Sequence, residues 1–380
     1  MYNKPNILNI GWVGQGDFGD EAMAFALRSF LKKNGIDAIT YYQHGRRPAY
    51  RGQEEIEIKS LYNFKASQKI RRLLDNIRLR KFDALVIGGG SVLHSLNSIQ
   101  WKYEVIKKIK KFNKKSLVAG LGISVGPITT ADEKKACARL LDSLDIAVLR
   151  DAHSAELAKK ISANPEIHSS LDTSLLLFEL FTDYFSRPKK NDEDLIGLML
   201  IKNKAREKEF FDHSHFDKYI YLINRLIKEG FRVRLFNLYI GSEYPDVELN
   251  LRLKNSCEAP DRVSIYSFNG DIFKTMDEMS RCRYVISMRL HGIIFSYLLG
   301  LPFLSLGYNP KNQYFCDSIG YPKDLSYDFN SIKDAAELNP AIENLLQRKE
   351  KAYDGALALP AAARLVKDNL DKFLAKLKSI

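Results

Sequence analysis

The sequence has few cysteines and no long apolar run. Its 380 residues include four cysteines, at positions 137, 257, 282 and 316, and no two of them form a C-x-x-C pair. This spacing excludes a disulfide framework and a zinc ribbon, and we expect no metal site. No apolar run is long enough to cross a membrane, and the segment after Met1 lacks the apolar core of a signal peptide. We therefore expect a cytoplasmic protein.

The chain also lacks the motifs of nucleic-acid-binding proteins, although its formal net charge is +12. No helix-turn-helix, zinc-finger or RNP-type pattern accompanies the charge, so we expect no nucleic-acid partner. Much of the charge lies in two helical segments, 69–81 and 105–112. In the second segment the apolar residues keep a helical period, which leaves one cationic face. That face is either solvated or in peripheral contact with an anionic membrane or a lipid-linked substrate.

Strand-like and helix-like segments alternate along the chain, which is typical of parallel sheets with helices on both faces. The alternation restarts after a polar stretch, residues 186–194, which is predicted to be a linker. We therefore predict an α/β protein with two Rossmann-like doubly wound domains, residues 1–185 and 195–350, facing each other across a GT-B-like cleft. Residues 351–380 are predicted to form a C-terminal helical segment.

A glycine-rich turn joins the first strand to the first helix, over residues 11–22. It matches neither the G-x-G-x-x-G fingerprint nor the P-loop, and its acidic side chains would repel phosphate. Hydroxyl binding or proton transfer by Gly16, Asp17 and Asp20 is therefore the interpretation we favour. The alternative is structural: Asp20 caps the helix and Glu21 lies in its first turn, and for Glu21 we favour this role.

Other candidate residues follow later strands. Gly89 and Gly90 come directly after an apolar strand and let backbone amides approach a ligand, although such glycines are also common in turns. His94, a few residues further on, is positioned to contact an acceptor. Arg150 ends another apolar strand, where it can bind a carboxylate or phosphate, or else form an ion pair with Asp151.

Asp172 follows the last strand-like segment before the linker. It is either a catalytic carboxylate or the cap of the turn that follows, and we favour the cap.

The most informative stretch is Ser287-Met288-Arg289-Leu290-His291-Gly292, where an apolar strand is predicted to lead into an apolar helix. The free N–H groups of a helix start favour an anion, and Arg289 and His291 would strengthen that preference. Lys311 follows in a predicted loop, Gly307–Lys311. The alternative is that Arg289 and Lys311 are solvated cations and that His291 caps a helix.

Taken together, these segments resemble the polysaccharide pyruvyl transferase family, and most closely its branch that pyruvylates cell-wall glycans on a lipid carrier. The motifs that carry the resemblance, in chain order, are residues 11–22, Gly88–Ser91, residues 120–127, Leu149–Asp151 with Ser154, Asp172, and Met288–Gly292 through Lys311.

The resemblance implies a ketal-forming pyruvyl transfer with phosphoenolpyruvate as co-substrate, release of phosphate, and no cofactor. It implies that Arg150, His291 and Lys311 engage phosphoenolpyruvate, with Arg289, Gly89 and Gly90 beside them. His291 is our candidate general acid because imidazole exchanges a proton near neutral pH. Asp20 is our candidate for binding or deprotonating the acceptor hydroxyl.

The expected acceptor is a sugar of a cell-surface polysaccharide or of its lipid-linked precursor. We expect it to contact Gly16, Asp17, Asp20, His94 and Asn309. Asn309 stands where the family has aspartate, and His94-Ser95 stands where it has Gln-Asp. Because these positions are expected near the acceptor, the departures affect the identity of the acceptor more than that of the donor. Two other functions remain open: a GT-B glycosyltransferase with a nucleotide-sugar donor, and a non-catalytic glycan-assembly protein.

Overall fold

The computed structural model describes residues 5–36, 39–42, 79–89, 93, 95–188, 192–201, 213–241, 246–348 and 353–380. The chain divides into two α/β units according to the contacts within it. Unit 1 contains Met1–Gln15, Gly19–Leu180 and Pro360–Ile380, and unit 2 contains Gly16–Phe18 and Phe181–Leu359.

Unit 1 is built on a six-stranded sheet of order β2-β1-β3-β4-β5-β6, in which every neighbouring pair is parallel. Its strands are β1 (Ile7–Ile10), β2 (Ile39–Tyr42), β3 (Ala84–Gly88), β4 (Leu117–Ile123), β5 (Ile146–Leu149) and β6 (Ile167–Ser169). Every residue of β1, β3, β4 and β5 is buried. Continuous apolar strands of this kind are typical of parallel sheets covered on both faces.

The helices of unit 1 are α1 (Phe18–Lys33), α2 (Leu96–Phe112), α3 (Ala131–Asp142), α4 (Ala152–Ile161) and α5 (Leu177–Leu180), with the last helix of the chain described below. Thr130 and Glu133 form a reciprocal capping box at the start of α3, which satisfies donors that the helix leaves unbonded. Ile99, Ile106 and Ile109 give α2 an apolar stripe that packs in the same core cluster as the strands.

Unit 2 has a second six-stranded parallel sheet, of order β12-β11-β10-β7-β8-β9. Its strands are β7 (Asp192–Met199), β8 (Arg232–Asn237), β9 (Val263–Ser267), β10 (Cys282–Ser287), β11 (Phe303–Gly307) and β12 (Ser326–Asp328). Its helices are α6 (Thr182–Phe185), α7 (His213–Lys228), α8 (Asp246–Ser256), α9 (Ile272–Ser280), α10 (Leu290–Leu298), α11 (Pro310–Ile319) and α12 (Asn339–Arg348), and α13 (Leu359–Lys378) follows.

The predicted class, an α/β protein with two parallel sheets and a C-terminal helix, is confirmed. The division of the chain differs from the predicted one in detail. Unit 1 ends at Leu180, Gly16–Phe18 belongs to unit 2, and nearly all of α13 belongs to unit 1. The last residues of the predicted linker, 192–194, already form the start of β7.

Two predicted elements were too short. The helix expected over 105–112 begins at Leu96. The sequence also predicts a strand over residues 115–119 that leads into a glycine-containing segment, but strand β4 runs to Ile123, so these glycines lie inside β4. Gly122 has φ of +65°, and the pairing of β4 with β5 shifts register between Leu121 and Ile123. Such an irregularity lets a glycine remain within a strand. No helix in the described part of the chain is long and apolar enough to span a bilayer.

Candidate functional site

In both units the candidate residues follow the carboxyl ends of parallel strands, where ligands bind in open α/β sheets. In unit 1 the glycine-rich turn follows β1, and α1 begins at Phe18. Asp20 therefore lies within the first turn and is not the cap that we considered. The Glu21 carboxylate accepts a hydrogen bond of 2.5 Å from the backbone N–H of Gly14, which closes the turn against the helix start.

Asp20 lies beside Gly89, which follows β3. Gly89 has φ of +78°, and a Cβ atom placed on it would be 3.7 Å from Oδ1 of Asp20. Asp20 itself is buried. The structure thus brings together two residues that were predicted from separate motifs. Gly90 and His94, predicted with them, lie outside the described residues, as does most of the basic segment 69–81.

A small cavity lies at this edge of the unit 1 sheet. Its lining residues come from β1, β3, β4, α1 and the loops that follow the strands: Asn9, Val13, Met23, Ala24, Leu27, Gly88, Gly89, Leu121 and Thr173. Asn9 is buried, and within the described part of the chain its Oδ1 has no hydrogen-bond partner. Sequence reasoning missed Asn9, although a polar residue inside the apolar strand β1 was a usable signal.

Arg150 directly follows β5, and its backbone N–H donates to the Ile123 carbonyl over 2.9 Å. Its side chain is only 4% exposed, and its Nη1 lies 3.7 Å from Oδ2 of Asp172, which is also buried. Oδ1 of Asp172 accepts hydrogen bonds from the backbone N–H and hydroxyl of Ser174. Asp172 therefore caps a turn, as we favoured, and also pairs with Arg150.

Asp151, the alternative partner of Arg150, instead caps α4. Its carboxylate accepts hydrogen bonds of 2.6 and 2.9 Å from the backbone N–H and hydroxyl of Ser154.

In unit 2 a short segment, Gly16–Phe18, pairs with the chain that follows β8. Asp17 forms an antiparallel bridge with Tyr239. The Phe18 N–H donates to the Leu238 carbonyl over 2.9 Å, and the Ile240 N–H donates to the Gly16 carbonyl over 3.0 Å. This pairing places Asp17 among the charged groups of unit 2.

Arg289 forms a close ion pair with Asp246, the first residue of α8. The second oxygen of Asp246 accepts hydrogen bonds of 3.0 Å from the backbone N–H groups of Leu238 and Tyr239. Burial alone would lower the pKa of Arg289, but Asp246 and Asp17 outweigh it, and the pKa lies above its ordinary value. The carboxylates of Asp246 and Asp17 therefore both favour the charged form of Arg289. Sequence reasoning missed Asp246, because nothing local to the motif at Arg289 indicates a partner 43 residues away.

His291 is the second residue of α10, and β10 ends at Ser287, so the predicted junction of strand and helix is present. A Cβ atom on Gly292 would lie 2.1 Å from Oγ of Ser287 and 2.5 Å from Sδ of Met199. The absence of a side chain at Gly292 thus lets the first turn of α10 pack closely against the strand ends. This packing fixes the backbone that carries His291.

Lys311 lies in the first turn of α11 and not in the predicted loop. Asn309 caps this helix, with its Oδ1 accepting a hydrogen bond of 3.0 Å from the backbone N–H of Lys311. Asn312 donates from Nδ2 to the Met288 carbonyl over 3.1 Å. That bond joins the start of α11 to the segment between β10 and α10, so Lys311 belongs to the same edge as Arg289 and His291.

The unit 2 edge therefore combines two cations, an imidazole and the starts of two helices. Helix starts carry free N–H groups and a partial positive charge, so α10 and α11 add to the charge of Arg289 and Lys311. Such a set can bind a compact anion and supply a proton next to it. Asp17, with its carboxylate acting on Arg289, adds a group that can accept a hydrogen bond from a hydroxyl.

A family model described as polysaccharide pyruvyl transferase matches residues 17–310, which is most of the chain. That range includes Asp20, Gly89 and Arg150 of unit 1 and Arg289 and His291 of unit 2, and it ends directly before Lys311. No curated protein sequence gives a significant match.

Solved structures with the same fold include UDP-GlcNAc 2-epimerase from Neisseria meningitidis bound to UDP-GlcNAc, with 12% identity, a TM-score of 0.60 and coverage of 97% of this chain and 100% of that one. A putative UDP-N-acetylglucosamine 2-epimerase from Listeria monocytogenes has 10% identity, a TM-score of 0.62 and coverage of 99% and 98%. A glycosyltransferase from Rickettsia africae has 14% identity, a TM-score of 0.56 and coverage of 100% and 99%. At this identity the likeness shows the GT-B-like fold alone.

Proposed function

We propose, from the premise that this chain belongs to the polysaccharide pyruvyl transferase family, that it transfers the pyruvyl group of phosphoenolpyruvate to a sugar as a ketal. The acceptor is a sugar of a bacterial cell-surface polysaccharide or of its lipid-linked precursor. The observation that carries the proposal is the unit 2 edge, where Arg289, His291 and Lys311 surround the starts of two helices.

The donor carries a phosphate and a carboxylate on three carbons, and its binding requires cations that reach both groups. In the proposal Arg289 and Lys311 neutralise these groups at the unit 2 edge, and Arg150 is the cation that unit 1 offers to the same donor. Arg150 is suited to this role because it directly follows β5 at the carboxyl edge of the unit 1 sheet. A guanidinium there can bind a carboxylate or a phosphate through paired hydrogen bonds.

His291 donates a proton to C3 of the enol, which becomes a methyl group and leaves C2 electrophilic. One sugar hydroxyl attacks C2, and the C2–O bond to phosphate breaks. A second hydroxyl closes the ketal. Of the two protons lost by the hydroxyls, one returns to His291 and the other leaves with phosphate, so the proton count balances. Asp20 accepts the hydrogen bond of the attacking hydroxyl, and its place beside Gly89 supports this role.

The test is release of phosphate from phosphoenolpyruvate in the presence of a panel of free and lipid-linked amino-sugar and galactose acceptors. We expect release with one class of acceptor, together with a pyruvyl ketal on that acceptor, which mass spectrometry detects as the added pyruvyl mass. Release that occurs without an acceptor, or no release with any acceptor, would contradict the proposal.

Variants sharpen this test. Arg150→Ala and His291→Gln should each reduce turnover by about 10²–10³-fold, the effect of removing one group that stabilises charge in a transition state. Arg232→Ala and His168→Gln are matched controls, because Arg232 is an exposed arginine and His168 lies on β6. Activity in the Arg150 or His291 variant equal to that of its control would remove that residue from the mechanism.

A double-mutant cycle tests whether Arg150 and Lys311 act on one substrate molecule. If both bind phosphoenolpyruvate, the effects of Arg150→Ala and Lys311→Ala on kcat/KM should not add, because residues that share a ligand are coupled. Strict additivity would show that the two units act on different molecules.

The same panel should include UDP-sugars, because structures with this fold include a UDP-GlcNAc 2-epimerase bound to UDP-GlcNAc and a glycosyltransferase. Release of UDP, or epimerisation of the sugar, would favour the alternative function of a nucleotide-sugar enzyme. We expect neither, because the family match covers residues 17–310.

We also propose that the enzyme works on the cytoplasmic side of a membrane and meets its acceptor there. Lys107, Lys108 and Lys111 are exposed on one side of α2 and would contact anionic lipid. Co-sedimentation with vesicles containing phosphatidylglycerol should be lost when these three lysines are replaced by glutamine. Equal binding to uncharged phosphatidylcholine vesicles would contradict this part of the proposal.

A further inference from the structure

Lys102 lies on the face of α2 that packs into the hydrophobic core. The buried residues of this helix are Ile99, Lys102, Ile106 and Ile109, a spacing of three, four and three that marks a single helical face. The lysine is 8% exposed. A buried lysine normally has a carboxylate partner, so its surroundings call for an explanation.

Among the described residues, the ammonium of Lys102 meets a hydroxyl and an aromatic ring. Its Nζ donates to Oγ of Ser98 over 2.5 Å and lies 5.7 Å from the centre of the Trp101 ring. An ammonium has three donors, and Ser98 accepts from one of them. Within the described ranges no acidic side chain forms an ion pair with Lys102, so none of those residues supplies a counter-ion to its buried charge.

Burial lowers the pKa of Lys102 to about 8 and is the sole physical cause of the shift. The described elements that pack most closely on α2 are α3 and β3. Strand β3 has no charged residue, and those of α3 are Asp132, Glu133, Lys134, Lys135, Arg139 and Asp142. None of them acts on Lys102. Near neutral pH most of the protein therefore retains this uncompensated charge.

The ammonium points toward the start of α2, because side chains on a helix lean toward its N-terminus. Ser98 lies in the first turn, which has no acidic residue, and the side chain of the N-cap residue Ser95 makes no capping hydrogen bond. The first turn thus keeps backbone N–H groups that a cap would otherwise satisfy. This helix start follows β3, and so lies at the carboxyl edge that also carries Gly89 and Arg150.

We propose that Lys102, Ser98 and the first-turn amides of α2 form a second anion site in unit 1, which takes a phosphate group. The charged nitrogen, the hydroxyl and the N–H groups are the donors that phosphate requires. The site itself does not depend on the proposed function, but the assignment of its phosphate to a substrate does. That phosphate belongs either to phosphoenolpyruvate or to the lipid carrier of the acceptor.

Isothermal titration of the full-length protein with inorganic phosphate tests the site. Lys102→Met keeps the length of the side chain and removes the charge, and Lys135→Met removes an exposed lysine of α3 as the matched control. We expect Lys102→Met to lose one phosphate site or to bind at least tenfold more weakly, and Lys135→Met to bind as the wild type does. Unchanged binding in Lys102→Met, or no phosphate binding by the wild type at 10 mM, would overturn the proposal.

Ser98→Ala provides a second variant that does not alter the buried charge. It should weaken phosphate binding severalfold. A lysine with only a structural role would give a different result: Lys102→Met would lower the thermal midpoint, and the affinity for phosphate would stay the same.

Steady-state kinetics distinguish the two sources of phosphate. If the site binds phosphoenolpyruvate, Lys102→Met raises the KM for that substrate with every acceptor. If it binds the carrier, the variant raises the KM for a lipid-linked acceptor and leaves that for a lipid-free acceptor unchanged. A complete absence of pyruvyl transfer in the wild type would contradict the proposed function. The phosphate titration would still show whether Lys102 forms an anion site.

Discussion

Unit 2 gives its enclosed cation, Arg289, carboxylate partners, whereas the described part of unit 1 gives Lys102 none. In unit 2 the mostly buried Arg289 pairs with Asp246 and is also stabilised by the charge of Asp17, and Asp246 accepts hydrogen bonds from two backbone amides. In unit 1 Lys102 is buried against a hydroxyl and an aromatic ring. A compensated charge contributes to holding the fold together, whereas an uncompensated one costs stability. The difference indicates that unit 2 uses its cation partly as a structural element and that unit 1 keeps its lysine for a ligand.

Arg150 is intermediate between these cases. It has a buried carboxylate partner, Asp172, but at 3.7 Å. Its contact with Asp172 is therefore longer than the close pair of Arg289 with Asp246. From its proposed role at the donor we expect Arg150 to contribute more to substrate binding, and Arg289 more to stability.

Removal of the Asp246 carboxylate should have the largest effect. Asp246→Ala leaves Arg289 buried beside a weakened set of partners, and loss of one member of a buried pair costs about 3–5 kcal/mol of unfolding free energy. Urea denaturation followed by circular dichroism measures this loss. Asp194→Ala is the control, because its exposed pair with Arg232 should be worth about 0–1 kcal/mol. Equal losses in the two variants would break the comparison.

Removal of the Lys102 charge should raise the free energy of unfolding, whereas removal of the Asp246 carboxylate lowers it. Lowering its pKa from 10.5 to about 8 corresponds to a penalty of about 3 kcal/mol at pH 7. As the pH rises, Lys102 loses its proton in the folded state near pH 8 and in the unfolded state only near pH 10.5. The free energy of unfolding of the wild type therefore rises between these two values, and above pH 10.5 the cost of burying the charge is gone. Lys102→Met should therefore be more stable than the wild type at pH 7 and equal to it near pH 11. The measurement is urea denaturation across this pH range, and a variant less stable at pH 7 would contradict the unpaired charge.

Gly292, in the first turn of α10, should tolerate a side chain less well than Gly88, at the end of β3, because its surroundings are more tightly packed. A Cβ atom on Gly292 would lie 2.1 Å from Oγ of Ser287, whereas one on Gly88 would lie 3.3 Å from its nearest neighbour, Nδ2 of Asn9. Gly292→Ala should cost about 1–3 kcal/mol through overpacking and should also lower turnover, because it displaces His291. Gly88→Ala should cost less. Thermal denaturation measures the loss of stability, and phosphate release measures the loss of turnover. A larger loss of stability in Gly88→Ala than in Gly292→Ala would show that the start of α10 can shift to accommodate a side chain.

The smallest expected loss of stability follows from replacing residues that cap helices. Asn309→Ala removes the cap of α11 and should cost about 1 kcal/mol, as Asp151→Ala should at α4. Asn309→Asp keeps an accepting oxygen, so its thermal midpoint should match that of the wild type. If Asn309 also contacts the acceptor, the aspartate variant should change the KM for the acceptor while that for phosphoenolpyruvate stays constant. Unchanged values of both would limit Asn309 to its role as a cap.

Local patterns predicted much of this molecule. The alternation of apolar strands and helices predicted two parallel sheets, and the change of period between Val285 and Ile294 located the junction that carries His291. Patterns could not predict pairings set by the fold. Asp246 meets Arg289 only after β8 and β10 have assembled on either side of β7, and Asp172 meets Arg150 from beyond β6. The strand β4 was underestimated because its glycines resemble those of a turn, whereas one of them is part of a strand irregularity.

The membership of α13 in unit 1 determines the order in which the units can be completed. Asn369 of α13 donates to the Ser169 carbonyl over 3.1 Å, across 200 residues of sequence, and the apolar face of the helix is buried, including Val366, Leu370 and Phe373. A ribosome therefore delivers all of unit 2 before it delivers the helix that finishes unit 1. The half of the molecule that is begun first is finished last, and a nascent chain leaves the apolar surface that receives α13 uncovered until that helix emerges.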